Sequence, residues 1–357
     1  MRGEVWVALR MNSYDVGNHF AWLKHLHNRR CEPLAAQAKW PIANCQLLFS
    51  APPRLRGEKF LISHLPRFNP QIASCQNSVM LNAQPPSIPD FLYGTAWKED
   101  RTASLTELAI RSGFRAIDTA NQRRHYFEAA VGKGLAAAYA AGLVTRDDLF
   151  LQTKFTYQAG QDHRLPYDPA ASLSLQVAQS MASSLEHLGT DHVDSFVLHG
   201  PASHSHWTTD DFETWQAMIK ERDAGRTRLL GVSNISRVQL EQMARAHAEP
   251  PAFVQNRCYA SRGWDRDVRA FCRERNIVYQ GFSLLTANVQ ILRHPLVAGL
   301  AAQLNASPAQ IIFAFARHVG MLPLTGTTNR EHMEQDLASR SLKLPTEAVN
   351  AIETIAG

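Results

Sequence analysis

Four segments of this 357-residue chain share one pattern, a short apolar run that ends in a polar, chemically capable residue. The polar residues are Asp118, Lys154, His199 and the pair Ser233 and Asn234. Strands that alternate with helices predict a parallel sheet. In a (β/α)8 barrel the carboxyl ends of the strands converge on one mouth, where such folds carry their active sites. The pattern therefore predicts an α/β chain folded as a (β/α)8 TIM barrel, with these side chains at its mouth.

The strand and helix signals alternate from about residue 90 to the end of the chain. Eight apolar segments are predicted strands: Phe91–Gly94, Arg115–Asp118, Leu149–Lys154, Val193–His199, Leu229–Ser233, Phe253–Gln255, Ile277–Gly281 and Met321–Leu324. Amphipathic stretches lie between them, and Ser307-Pro308 has the cap and first-turn residues of a helix start. A barrel of this kind needs about 250 residues. We find no break that indicates a second domain inside residues 90–357.

The first 75 residues have a different composition. Residues 1–70 hold ten Lys and Arg against four Asp and Glu, and prolines interrupt every candidate helix or strand. We therefore predict that residues 1–75 form a poorly structured basic extension and that residues 76–357 form the barrel. An organellar transit segment has a similar composition. A start codon assigned too early is a further alternative, because Met80 lies just before the barrel pattern begins.

Charge, hydropathy and cysteine usage exclude several classes of partner. The net charge of +5 resides in the extension, so the barrel is near neutral and a nucleic-acid partner is not expected. No apolar run reaches the roughly 18–20 residues that span a bilayer, so a membrane partner is not expected either. The five cysteines include no C-x-x-C pair, which argues against a disulfide framework and a zinc site. We expect a cytoplasmic protein, a monomer or weak oligomer, with no bound metal.

Tyr126, shortly after Asp118, completes a set with Lys154 and His199. This set resembles the catalytic tetrad of the aldo-keto reductases, a family of nicotinamide-dependent carbonyl reductases, and the resemblance covers roughly residues 76–357. It implies a small aldehyde or ketone substrate. It implies that Tyr126 is the general acid, that Lys154 lowers its pKa, that Asp118 anchors Lys154 and that His199 orients the carbonyl.

The same resemblance implies a nicotinamide-binding set on the later strands. Ser233, Asn234 and Gln255 match residues that hold the nicotinamide carboxamide, and Phe282-Ser283 matches the segment whose aromatic ring stacks under the nicotinamide. Gly326 and Thr327 match the phosphate segment of strand eight.

The adenosine side departs from the family pattern. Many relatives carry a lysine and an arginine where this chain has Gly326 and His332, and Gln335 and Asp336 take the place of a Glu-Asn pair that contacts adenine. Without the lysine and the arginine, the case for a cofactor that carries a 2′-phosphate is weaker. The family habit still favours NADP(H), with NAD(H) as the alternative.

The tyrosine itself is displaced. The spacing that the family has between its aspartate and its tyrosine leads in this chain to Arg123. An arginine does not give up its proton at neutral pH, so Arg123 is excluded as the acid. Counting back from Glu128 places His125 in register, one residue before Tyr126. We favour Tyr126 as the acid and keep His125 as the alternative.

Two other functions stay open at this stage. A displaced tyrosine is compatible with a regulatory subunit that binds a nicotinamide cofactor with little turnover. A metal-dependent barrel hydrolase would use His199, His204 and His206 as ligands. The loops after strands three and four, which carry Tyr157, Tyr167 and His204 among others, are candidates for the substrate wall.

Overall fold

Eight parallel strands close a barrel in sequence order, with each strand bonded to the next and β8 bonded to β1. The structure is a computed structural model that describes residues 88–247 and 249–356. The strands are β1 (Leu92–Gly94), β2 (Ala116–Asp118), β3 (Phe150–Phe155), β4 (Val193–Leu198), β5 (Thr227–Ser233), β6 (Phe253–Arg257), β7 (Val278–Phe282) and β8 (Met321–Thr325). All eight overlap the predicted segments, so the prediction of a (β/α)8 barrel is confirmed. The predicted extension, residues 1–75, lies outside the described residues.

The helices form the outer layer. They are α1 (Thr102–Arg111), α2 (Glu128–Ala140), α3 (Leu173–Leu188), α4 (Thr209–Asp223), α5 (Arg237–Ala246), α6 (Arg266–Glu274), α7 (Val289–Leu292), α8 (Pro295–Gln303), α9 (Pro308–His318), α10 (Arg330–Ala338) and α11 (Thr346–Glu353). The start of α9 follows the predicted capping chemistry. Ser307 caps α9, and its hydroxyl accepts a hydrogen bond from the Gln310 N–H while Pro308 occupies the first turn.

The central strands are buried on both faces. Every residue of β3 and of β4 is buried, because helices cover one face and the barrel interior covers the other. Successive side chains of a strand point to opposite faces. Gln152 and Lys154 therefore share the inward face of β3, and the second of them lies nearer the mouth.

A glycine fixes the approach of α2 to α3. A Cβ at Gly132 would lie 1.8 Å from the carbonyl oxygen of His187, so only glycine allows this close approach. The first residue of α2, Glu128, is buried and accepts hydrogen bonds from Thr153 on β3 and from Ser184 on α3. The start of α2, just after Tyr126, is thus fixed to both neighbouring elements.

Within residues 88–247 and 249–356, no single helix has the length and apolar composition needed to cross a membrane. Helices α8 and α9 meet those criteria only when taken together, and they are bent by 95° at the break between them.

Candidate active site

A buried ion pair lies at the centre of the barrel mouth. The Lys154 ammonium donates to both carboxylate oxygens of Asp118 at 2.7 Å and to the Thr119 carbonyl at 2.8 Å. Lys154 is fully buried and Asp118 nearly so. Burial alone would lower the pKa of Lys154, but Asp118 and Tyr126 outweigh it and raise that pKa above its usual value. The ammonium is therefore held charged at the place where β2 and β3 end.

Tyr126 faces this ammonium. The Lys154 nitrogen lies 5.1 Å from the centre of the Tyr126 ring. Burial raises the pKa of the Tyr126 phenol, whereas the charge of Lys154 lowers it. Burial is the larger effect, so the pKa of Tyr126 is above its ordinary value. The expected downward shift is present as the contribution of Lys154, but the cost of burying a phenolate exceeds it.

His125 lies on a different side of the same turn. Its ring packs against Trp97, tilted by 35° with 4.2 Å between the ring centres, and its carbonyl accepts a hydrogen bond from the Trp97 N–H at 2.7 Å. Trp97 itself is 64% exposed and has a left-handed backbone. The structure thus directs Tyr126 toward Lys154 and His125 toward Trp97.

The turn that carries Tyr126 is a single helical turn anchored from the loop after β3. The N–H groups of His125 and Tyr126 both donate to the Gln122 carbonyl. Gln122 donates to the Gly160 carbonyl at 2.7 Å, and Gln161 donates to the Asn121 carbonyl at 2.8 Å. These contacts accommodate the longer spacing between Asp118 and Tyr126.

His199 completes the group of four. Its ring meets the edge of the Tyr126 ring with 5.8 Å between centres, and its Nδ1 lies 2.7 Å from the Thr156 hydroxyl. Burial, and then the charge of Lys154, lower the pKa of His199 well below its usual value. His199 is therefore neutral near pH 7. When the Thr156 hydroxyl donates to Nδ1, the ring carries its proton on Nε2.

Three side chains expected at the nicotinamide lie together at the ends of β5 and β6. Ser233 donates to the Gln255 carbonyl at 2.7 Å, and Asn234 donates to the Ser233 hydroxyl at 3.2 Å and to the His199 carbonyl at 2.7 Å. Asn234 is exposed and has a left-handed backbone with φ of 52°. The amides and hydroxyl are groups that can bond a carboxamide.

Phe282 and Ser283 lie at the end of β7. Both are half-buried, and Ser283 also has a left-handed backbone, with φ of 56°. The Arg257 guanidinium lies 5.8 Å from the centre of the Phe282 ring. Part of this aromatic residue is therefore exposed at the strand end, as stacking on a flat ligand requires.

A cation that the sequence pattern did not predict lies at the end of β8. Gly326 has no side chain, but the Lys98 ammonium, from the loop after β1, donates to its carbonyl at 2.7 Å. Lys98 is buried, and burial lowers its pKa to about 8. The sequence contains a signal for this cation, because Lys98 comes shortly after the end of a strand, and Asp118 and Lys154 also lie at strand ends.

The remaining adenosine-side residues separate into exposed and buried ones. Thr327 accepts a hydrogen bond from the Tyr93 hydroxyl through its carbonyl at 3.1 Å, and His332 is exposed on α10. Gln335 is half-buried and donates to Glu331.

Asp336 instead faces the interior, where its carboxylate accepts a hydrogen bond from Thr325 at 2.8 Å. Burial raises the pKa of Asp336 to about 7. The structure thus does not present the Asp336 carboxyl at the surface.

The candidate wall residues are mainly engaged within the fold. The Tyr157 hydroxyl donates to Asp211 at 2.9 Å, and the Tyr167 hydroxyl donates to the Thr156 carbonyl at 2.7 Å. His204 and His206 lie in an exposed loop, where the His206 ring contacts nearby serines. In the part of the chain that the structure describes, no three His, Cys, Asp or Glu side chains are grouped so that they could hold a metal ion.

Comparisons with known proteins identify the family of this chain. The model of the Aldo/keto reductase family matches residues 92–293. The chain belongs to the aldo/keto reductase family. It is 30% identical to methylglyoxal reductase DkgB of Escherichia coli O157:H7, over 75% of this chain and 93% of that protein. The expectation of an oxidoreductase of this family is thereby confirmed.

Solved aldo/keto reductase structures are similar over the same region. An aldo/keto reductase from Brucella melitensis superposes with a TM-score of 0.64 and 26% identity, covering 76% of this chain and 95% of that chain. The Bombyx mori aldo-keto reductase AKR2E4, solved in complex with NADP, gives a TM-score of 0.64 and 26% identity, covering 74% of this chain and 88% of that chain. This is in line with the expected NADP(H).

Proposed function

We propose that this aldo/keto reductase reduces a small aldehyde or ketone with NADPH, and that Tyr126 is the general acid. The observation that carries the proposal is the direction of two neighbouring side chains. Tyr126 faces the Lys154 ammonium and the His199 ring, whereas His125 packs against Trp97. A proton donor must lie beside the group that tunes it and the group that orients the substrate, and Tyr126 has this position.

The residues have separate tasks in this proposal. His199 is neutral and donates a hydrogen bond to the substrate oxygen, so the oxygen is held near the Tyr126 hydroxyl. Tyr126 transfers its proton to that oxygen as negative charge develops there. Lys154 stabilises the resulting phenolate, and Asp118 keeps the ammonium charged and fixed at 2.7 Å.

The residues at the mouth fit a nicotinamide cofactor, which when bound supplies the hydride that the carbonyl carbon requires. Ser233, Asn234 and Gln255 offer amide and hydroxyl groups for a carboxamide, and the half-buried Phe282 ring offers a stacking surface. At the phosphate segment, α10 begins with Asn329 as its cap. Helix N-termini bind phosphate groups readily.

The choice of NADP(H) over NAD(H) rests on two supports. The Bombyx mori relative was solved with NADP. In this chain Lys98 brings an ammonium to Gly326, the position where many relatives carry a lysine. We also propose that the protein acts in the cytoplasm as a monomer or weak oligomer, with small molecules rather than nucleic acids or membranes as its partners. Residues 1–75 remain a predicted extension to the barrel at residues 76–357.

A cofactor-oxidation screen tests the proposal. The purified chain is mixed with NADPH or NADH and a panel of small aldehydes, ketones and sugars, including methylglyoxal because of the similarity to DkgB. We expect carbonyl-dependent loss of absorbance at the nicotinamide band, faster with NADPH. Tight NADPH binding with no turnover on any carbonyl would instead favour the regulatory subunit.

A further inference from the structure

A cluster of buried glutamines lies directly beneath the catalytic group. Gln152 on β3 and Gln280 on β7 are fully buried, and Gln255 on β6 is 3% exposed. In barrels of this kind the interior is filled mainly by branched apolar side chains, in layers contributed by alternate strands. Burying a polar amide costs free energy unless its hydrogen bonds are satisfied. The presence of three such amides in one place therefore requires a reason.

The amides form a connected network that ends on Asp118. Gln152 donates to Asp118 Oδ1 at 2.7 Å, and Gln255 donates to the same oxygen at 3.0 Å. Gln152 and Gln280 bond each other reciprocally at 2.8 and 3.0 Å across the barrel. Gln280 also accepts from Gln255 at 2.9 Å. The network thus joins the residue that anchors Lys154 to a residue expected at the nicotinamide.

The chemistry of Asp118 fixes the direction of each amide. An ionised carboxylate only accepts hydrogen bonds, so Gln152 and Gln255 must turn their N–H groups toward it. The second N–H of Gln255 is bonded to Gln280. With its nitrogen directed into the barrel, Gln255 offers its carbonyl oxygen to the N–H groups of a carboxamide.

We propose that Gln152 and Gln280 are positioning residues of the reductase, Gln152 for the Asp118 end of the catalytic group and Gln280 for the Gln255 amide. The inference rests on the proposed function for its catalytic half. Gln152 shares the Asp118 charge with Lys154, and Gln280 holds the Gln255 amide in one orientation. Both side chains are fully buried, so neither is exposed at the mouth where substrate and cofactor would bind.

The pH profile of turnover reports on Gln152. Two sets of charged and titratable groups surround the Tyr126 ring. At the mouth they are Asp118, Lys154 and His199. On the side of the Tyr126 turn and of α3 they are Arg123, His125, Glu128, Arg164 and His187. The Asp118 charge raises the pKa of Tyr126. A Gln152→Leu change removes a donor that disperses this charge, so we expect the high-pH limb of kcat to move up by about 0.5 unit and kcat to fall about 10-fold.

Cofactor binding reports on Gln280. Gln280→Leu removes the acceptor that orients Gln255, so we expect the Kd for NADPH, measured by quenching of protein fluorescence, to rise about 3- to 10-fold. The limb of the pH profile should move less than in Gln152→Leu. The binding measurement needs no turnover, so it still tests this half of the inference if the chain reduces none of the carbonyls in the panel.

The double variant separates positioning from stability. Either single change leaves a buried amide without its partner, whereas Gln152→Leu with Gln280→Leu replaces both members of the reciprocal pair by apolar groups. We expect the double variant to unfold at a higher temperature than either single variant and to keep both defects. Recovery of kcat, pH limb and Kd along with stability would overturn the proposal, because the role would then be structural.

Gln176→Leu is the matched control. Gln176 is also a buried glutamine, but it lies on α3 and donates to the carbonyls of Pro169 and Ala171. We expect it to lower the melting temperature and leave the pH profile and the Kd unchanged. The proposal is also overturned if Gln152→Leu moves only the melting temperature, as this control should.

Discussion

The two sides of the barrel mouth place their charges in different ways. On the side of β2 to β4, the charged residues are at the strand ends that the sequence assigned to them, and Asp118 and Lys154 meet at 2.7 Å. On the side of β8, the positions expected to carry charge hold Gly326 and an exposed His332, and a cation arrives from the loop after β1 as Lys98. An ammonium thus lies at the end of β8 although the residue that supplies it belongs to the loop after β1.

The largest expected effect tests the side of the mouth formed by β2 to β4. Lys154→Met removes the ammonium that stabilises the Tyr126 phenolate, so kcat should fall by about 10³-fold or more. The Kd for NADPH should change by less than about 3-fold, because the role belongs to the transition state. Stopped-flow turnover and fluorescence titration measure the two quantities. Near-normal turnover would remove Lys154 from the mechanism.

The next effect concerns the displaced tyrosine on the same side. Tyr126→Phe keeps the ring and removes the proton, so kcat should fall at least about 100-fold. His125→Ala is the matched variant from the same turn, and it should cost less than about 5-fold, since His125 packs on Trp97. An active Tyr126→Phe together with an inactive His125→Ala would transfer the role of acid to the histidine.

A smaller effect tests the second side. Lys98→Met should weaken NADPH binding about 10-fold and leave kcat within a factor of about 3, if Lys98 serves the phosphate segment. The pKa of Lys98 is lowered to about 8. Its charge is present below that pH and is lost above it, so the affinity of the wild type should fall as the pH rises through 8.

The control for this experiment is Lys133→Met, which changes an exposed lysine on α2. It should leave NADPH binding unaltered. Equal affinities for all three proteins across the pH range would mean that Lys98 has no part in holding the cofactor.

The last expected effect is on stability rather than on activity, and it comes from Asp336. Burial raises the pKa of Asp336 from 3.8 to about 7, so the folded state binds its proton more tightly than the unfolded state. The stability contribution is therefore greatest at low pH and is lost as the pH rises from about 4 to 7. Asp336→Asn keeps an acceptor for Thr325 and should stabilise the protein by up to about 4 kcal/mol at pH 8. Thermal unfolding at pH 5 and pH 8 measures this, and an unchanged pH slope would count against it.

The sequence predicted the barrel because each strand carries its own local signal. A buried parallel strand is a short apolar run, and its last residue is recognisable when it is polar, as at Asp118 and Lys154. The helix α10 has a weaker local signal, because Arg330–Ala338 has a largely polar surface and few apolar positions. Strand ends were placed to within about two residues, which is the usual uncertainty for such boundaries.

The contacts across the barrel could not be predicted in this way. Gln152 and Gln280 are 128 positions apart and meet only because β3 and β7 face each other in the closed sheet. Lys98 reaches Gly326 across 228 positions for the same reason, since β1 pairs with β8. Asp336 was assigned to the cofactor from its position alone, and the rotation of α10 turns it inward. These features depend on register and closure, which one sequence does not specify.

The contacts that hold the Tyr126 turn leave the side chains at positions 123 to 125 free to vary in evolution. Gln161 and Arg164 hold it through the main-chain carbonyls of Asn121 and Arg123, at 2.8 and 3.2 Å. A carbonyl oxygen is the same for every amino acid, so these contacts place no demand on the side chains at positions 123 to 125. Substitutions can accumulate there at little cost to the anchoring, which makes this short stretch a natural place to vary when new substrate preferences are sought.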